Sequence, residues 1–127
     1  MYNDYINPRG IAMKPGREHS SANLSTLVLA VLMDAPRHGY AIAREIERRS
    51  ESALSPGEGA LYPALRGLEG EGLIEGHWEQ AKGSPARKIY ALTPEGIKEL
   101  QKRTQSWRRY VRAVDTVLGG LPDGQPA

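Results

Sequence analysis

Seven residues near the C-terminus, Ile97, Leu100, Thr104, Trp107, Val111, Val114 and Leu118, follow one another at alternating steps of three and four. That is a 3.5-residue seam kept for three heptads, the spacing at which one helix lies along another. Thr93, Pro94 and Glu95 open this helix with a hydroxyl cap, a proline at its first position and an early carboxylate, and Gly119 and Gly120 stop it. A chain of 127 residues holds one domain with tails, and a core of about 70 residues cannot cover the whole seam. The seam is therefore expected to meet a second copy of the chain, which makes residues 94–118 a dimerisation helix.

The preceding residues divide into short elements. Leu24, Leu27, Val28, Val31 and Leu32 predict an amphipathic helix ending near Asp34, before Pro36. Arg37, His38 and Gly39 read as a turn. A second helix follows, with Ile42, Ala43 and Ile46 inward and Arg44, Glu45, Glu47, Arg48 and Arg49 forming a solvated charged face. The third stretch, Ser55 to Leu73, carries Leu61, Leu65 and Leu68 on one stripe, with Ile74 joining the same core. Ser55, Pro56 and Glu58 have the order of a helix opening. Pro63 predicts a kink, and Gly67 and Gly70 each cost about 1 kcal/mol relative to alanine, so this helix depends on tertiary packing. Opposite its leucines stands Arg66, with Tyr62 on the flank and Gly59, Pro63 and Gly70 nearby. A helix so thin in front can enter the major groove of DNA, about 12 Å wide, although an ordinary surface helix has the same pattern.

Two strand-like runs, Leu73 to Gln80 and Arg87 to Leu92, flank a loop rich in Gly, Ser and Pro and predict a projecting hairpin. Tyr90 and Leu92 share its inner face, and Trp78 is expected to pack between the hairpin and the terminal helix. Residues 1–19 read as a flexible arm and residues 119–127 as a disordered tail.

Composition removes several classes of function. The chain has no cysteine, which excludes disulfides and thiolate zinc sites and suits a reducing cytoplasm. No apolar run is long enough for a membrane span. His19, His38 and His77 are scattered without an HExxH pattern or a Gly-rich phosphate loop, so no catalytic residues, metal or cofactor are expected. The net charge is +2, yet residues 20–93 hold eight Lys/Arg against nine Asp/Glu. A DNA partner would require the positive charge to be sorted onto one face.

Three helices, a hairpin and a long terminal helix give a mainly α fold with a small β-hairpin: a winged helix-turn-helix over residues 20–93, plus the C-terminal dimerisation helix. The runs PRHGY (36–40), EGALYPAL (58–65) and YALTPEG (90–96) resemble the PadR family of bacterial transcriptional regulators. The resemblance covers residues 22 to 118 and is similar to the smaller members with a single C-terminal helix. It implies a homodimeric repressor that binds a palindromic operator in double-stranded DNA and is released by a small effector. By that resemblance Tyr40, Tyr62 and Arg66, with Lys82, Arg87 and Lys88 at the wing, fall where family members meet DNA. Ala60 and Gly67 depart from it, standing where a hydroxyl and a basic residue are common. The guanidinium of Arg66 suits the O6 and N7 of guanine, with a solvated arginine as the alternative. Tyr40 and Tyr62 have phosphate-contact and packing readings side by side. Trp107 sits on the seam, where paired indoles would hold a planar aromatic ligand or simply anchor the interface. The rival to the whole reading is a winged helix used for protein contacts alone.

Overall fold

A computed structural model of the chain describes residues 5–6, 12–13 and 17–120, with side-chain surroundings from residue 23 onward. The expected N-terminal arm lies largely outside the described residues, apart from a short ladder between β1 (Tyr5–Ile6) and β2 (Ala12–Met13), and residues 17–19, assigned to that arm from sequence, belong instead to the first helix. The expected tail lies outside them beyond Gly120.

Helix α1 (Arg17–Leu32) begins earlier than its apolar repeat, and the strand β3 (Arg37–His38) follows it. Next come α2 (Gly39–Arg49), α3 (Glu58–Gly70), β4 (Ile74–Glu79), β5 (Arg87–Leu92) and α4 (Pro94–Leu118). Helix α1 is the centre, touching α2, α3, α4 and β5. Its Leu24, Val28, Leu29, Val31 and Leu32 are all buried, joined by Ile42 and Ile46 of α2 and by Leu61, Leu65 and Leu68 of α3. Ile74 and Tyr90 close that core from the sheet.

The expected hairpin gains a third strand. Arg37 and His38, read from sequence as a turn, pair antiparallel with Tyr90 and Ile89, and the sheet order is β3-β5-β4. A strand of two residues is too short to show any alternation, so only the pairing reveals it.

Helix α3 also opens differently from the sequence reading. Its N-cap is Gly57, with no side-chain cap, while the Ser55 hydroxyl bonds the Glu47 carboxylate at 3.1 Å. Residues 50–55 are held as a compact corner by Ser50, whose Oγ accepts from the Leu54 amide at 3.0 Å. Pro63 lies inside a helix that runs on to Gly70. Pro63 and Gly67 together cost about 4 kcal/mol in helix propensity. Leu61, Leu65 and Leu68, each worth roughly 1.5–3 kcal/mol when fully buried, offset that cost, so tertiary packing holds α3.

The base of α4 is stitched to the end of α3. The Thr93 hydroxyl lies 2.7 Å from the Gly72 carbonyl and 3.0 Å from that of Leu73, and accepts from the Gly96 amide at 3.0 Å. Gly96 is buried because the Leu73 carbonyl occupies the place a Cβ would take. The Thr-Pro-Glu-Gly run is thus both a helix cap and a weld between the third helix and the terminal one.

Candidate nucleic-acid interface

The burial of α3 separates its two sides. Leu61, Leu65 and Leu68 are buried, whereas Gly59, Pro63, Arg66, Gly67 and Gly70 are exposed. Arg66 makes no hydrogen bond or ion pair among the described residues, so its planar fork of donors is available. A Cβ added at Gly59, Gly67 or Gly70 would meet nothing within 4 Å. These glycines are not demanded by packing; their effect is to keep the front of the helix low.

Tyr62 is divided between packing and exposure. Its ring lies so close to Gly39 that a Cβ there would sit 2.9 Å from the Tyr62 hydroxyl oxygen. Gly39 is therefore the partner that lets the tyrosine of the third helix settle on the start of the second, and about a third of Tyr62 stays exposed. Tyr40, lining the same cleft as Tyr62, is exposed.

Arg44, one turn along α2, was assigned by sequence to a solvated charged face. It donates to the Tyr40 hydroxyl at 2.9 Å, and that bond holds the guanidinium more firmly charged. Arg44, Tyr40, Tyr62, Glu47 and Glu58 line a cleft of about 430 Å³ between α2 and the start of α3. No periodicity brings Arg44 forward, since its neighbours Glu45, Arg48 and Arg49 share its spacing. Those neighbours point their charges at one another: Glu45 accepts from Arg48 and Arg49 at 2.6 Å each, and Arg49 reaches back to Asp34 at 2.9 Å. The bonds from Arg48, then Arg49, pull the Glu45 carboxyl down to about 2.

On the hairpin, the register opposes Glu79 to Arg87 and Trp78 to Lys88. Adjacent residues of a strand point to opposite faces, so Arg87 and Lys88 cannot both address one surface. Lys88 turns toward α3 and donates to Glu69 at 3.0 Å, a bond that raises its pKa. Arg87 is exposed, and so is Lys82 in the loop, neither with a hydrogen bond or ion pair among the described residues. Trp78 does not fill the gap between hairpin and α4. It is 71% exposed, because the core ends at Tyr90 and the strands continue past it.

Residues 28–102 match the model of the transcriptional regulator PadR-like family. A transcriptional regulator of Mycobacterium tuberculosis is 33% identical over 104 residues, spanning 82% of this chain and 91% of that protein. The crystal structure of a PadR family transcriptional regulator from Eggerthella lenta is 31% identical, with a TM-score of 0.69 over 80% of this chain and 86% of its own. A PadR family transcription regulator from Clostridium difficile is 30% identical, with a TM-score of 0.65 over 75% and 97%. The chain belongs to the PadR-like family of transcriptional regulators. The resemblance carried by HGY, LYPAL and YxLTPEG is thereby borne out, as is the winged helix.

In this PadR-like chain the terminal seam is only partly covered. Ile97, Leu100 and Thr104 are half-buried, and Leu100 packs on the core. Arg103 bonds Glu99 at 2.7 Å and reaches Thr26 of α1 at 3.5 Å, which holds this lower half against α1. Beyond it Val111 and Val114 are half-buried, while Trp107 is 52% and Leu118 is 49% exposed. Trp107 leans on Tyr110, ring centres 5.9 Å apart, and Tyr110 is as open as the tryptophan. Tyr110 lies off the heptad positions, so the seam alone did not reveal the aromatic pair. No helix among the described residues is long and apolar enough to cross a membrane.

Proposed function

We propose that this transcriptional regulator is a homodimeric repressor that reads a palindromic operator in double-stranded DNA and is released by a planar aromatic molecule. The observation that carries the DNA-binding reading is the exposed, unpaired Arg66 on the low front of α3, a helix anchored from behind by three buried leucines. In the major groove Arg66 would donate to a guanine edge, a contact worth about 1 to 3 kcal/mol of discrimination. Lys82 and Arg87 on the wing, with the Tyr40 and Arg44 pair of α2 beside the start of the reading helix, supply phosphate contacts that orient the protein without choosing sequence. Lys88 is engaged by Glu69 and contributes to a phosphate only by leaving that partner.

Two copies joined along Ile97, Leu100, Thr104, Trp107, Val111, Val114 and Leu118 would present two α3 helices to half-sites about 34 Å apart. Trp107 on that seam and Tyr110 beside it offer flat apolar faces, where a planar aromatic effector can insert. Because Thr93 and Gly96 weld the base of α4 to the end of α3, a change in how the two terminal helices pack alters the separation of the reading helices. An effector that binds better to one separation shifts the population toward it.

Gel-shift titration against the region upstream of its own gene tests this reading. Arg66→Ala is expected to flatten the preference between specific and random duplexes by a factor of about 5 to 100. Lys82→Ala is expected to weaken all duplexes alike and to reduce the slope of log affinity against log salt by about 1. Equal affinities for the unmodified protein and both variants would rule out DNA recognition through α3 and the wing.

A further inference from the structure

Trp78 is a large aromatic side chain that the fold of this chain leaves uncovered, 71% exposed on the first strand of the wing. Its surroundings are nonetheless organised. The register pairs Trp78 with Lys88 and Gly76 with Tyr90, so all four positions share the hairpin face that carries Ile74 and Leu92 toward the core. The Lys88 ammonium lies 5.9 Å from the centre of the Trp78 ring and 5.4 Å from that of Tyr90, and bonds Glu69 in the last turn of α3 at 3.0 Å. Gly76 makes room for this crossing, since a Cβ there would strike the Lys88 side chain and come within 2.9 Å of Glu69 Oε2. A chain of contacts from α3 through Glu69 and Lys88 therefore reaches the indole, on the side of the wing that faces the reading helix.

The acidic residues of the same strand, Glu75 and Glu79, alternate with Trp78 and occupy the opposite face. The face with the indole holds an aromatic surface with the Lys88 ammonium against it, and that ammonium is tied through Glu69 to the last turn of α3. Apolar side chains enter the minor groove beside sugars and base steps, and a contact with the sugar edge carries no sequence information of its own. We propose that Trp78, held by the Lys88 and Glu69 pair, is the wing's contact with duplex DNA, its indole against the deoxyribose edge of the minor groove next to the major groove that α3 enters. This rests on the DNA-binding reading above and adds to it a residue that the wing's loop charges do not supply.

The test combines tryptophan emission with gel shifts, using a duplex from the region upstream of its own gene and a random duplex of equal length. Titrating the unmodified protein is expected to quench its emission, and Trp78→Phe, which retains Trp107, is expected to lose that signal. Trp78→Ala is expected to weaken both duplexes by about tenfold, with Trp78→Phe intermediate, while all three proteins melt at the same temperature. An emission change that persists in Trp78→Phe, with Trp78→Ala binding as well as the unmodified protein while Lys82→Ala binds less well, would overturn the inference and leave the DNA-binding reading standing. If the unmodified protein binds neither duplex, both fail together, and the exposed indole belongs to a protein contact instead.

Discussion

The winged-helix body and the terminal helix obey different rules within one chain. In the body, twelve apolar residues from α1, α2, α3 and the sheet are buried in one cluster, and their contacts close on themselves. In α4, 25 residues and about 37 Å long, Gly96 alone is fully buried, while Trp107, Tyr110, Val117 and Leu118 are exposed. The first region is complete as a single copy. The second is a helix whose apolar seam runs on beyond the core that covers its base. The homodimer proposed above would gain from this division: a rigid reader in one copy, and a spacer formed by pairing.

The largest expected effect breaks the two regions apart. Trp107→Ala combined with Val111→Asp puts a charge on the seam, and light scattering is expected to report monomers with a helical spectrum and a melting transition like those of the parent at matched low concentration. Operator affinity is expected to fall more than about 100-fold, since each half-site must then be bound alone. A persistent dimer would show that pairing uses another face.

A smaller effect is expected at the weld. Gly96→Val would drive a branched side chain into the Leu73 carbonyl, and overpacking of this kind costs about 1–3 kcal/mol in a denaturant titration. The loss is expected in the body as well as in α4, because Thr93 and Gly96 belong to both. An unchanged midpoint would mean that α4 starts independently of α3.

The smallest effect belongs to the body alone. Glu45 is held at about 2 by Arg48 and Arg49, below its ordinary 4.5, so its contribution is present above pH 4.5 and lost as pH falls toward 2. Glu45→Gln is expected to melt slightly lower at pH 7, with the gap to the parent closing between pH 5 and pH 2. A gap that is constant with pH would mean that the carboxylate charge contributes nothing. The pair is surface-exposed on its arginine side, and the effect should shrink in high salt.

The body was largely legible in the sequence because its signals are periodic. The leucines of α3, the stripe of α1 and the Thr-Pro-Glu opening of α4 each appear where the spacing put them. The third strand and the cap of α3 were not legible. Arg37 and His38 form a strand only through β5, and Ser55 is used by Glu47 rather than by the helix it precedes. Within the interface, Arg66 stands exposed as its position on the helix wheel required. Lys88 is drawn off by Glu69, nineteen residues away, and Trp78 stands exposed because the core stops at the Gly76 and Tyr90 pair, two register pairs short of it. Arg44 owes its place to a hydroxyl one turn before it, not to a pattern. Such assignments depend on which side chains meet across elements, and no window along the chain contains that information.

Hydroxyl-radical footprinting of the unmodified protein on its upstream DNA tests the division between reader and spacer most directly. The expected result is two protected half-sites related by a dyad, their centres about 34 Å or one helical turn apart, with both lost together in the Trp107→Ala and Val111→Asp protein. A single protected patch without a dyad, or a paired footprint that survives disruption of the seam, would contradict it.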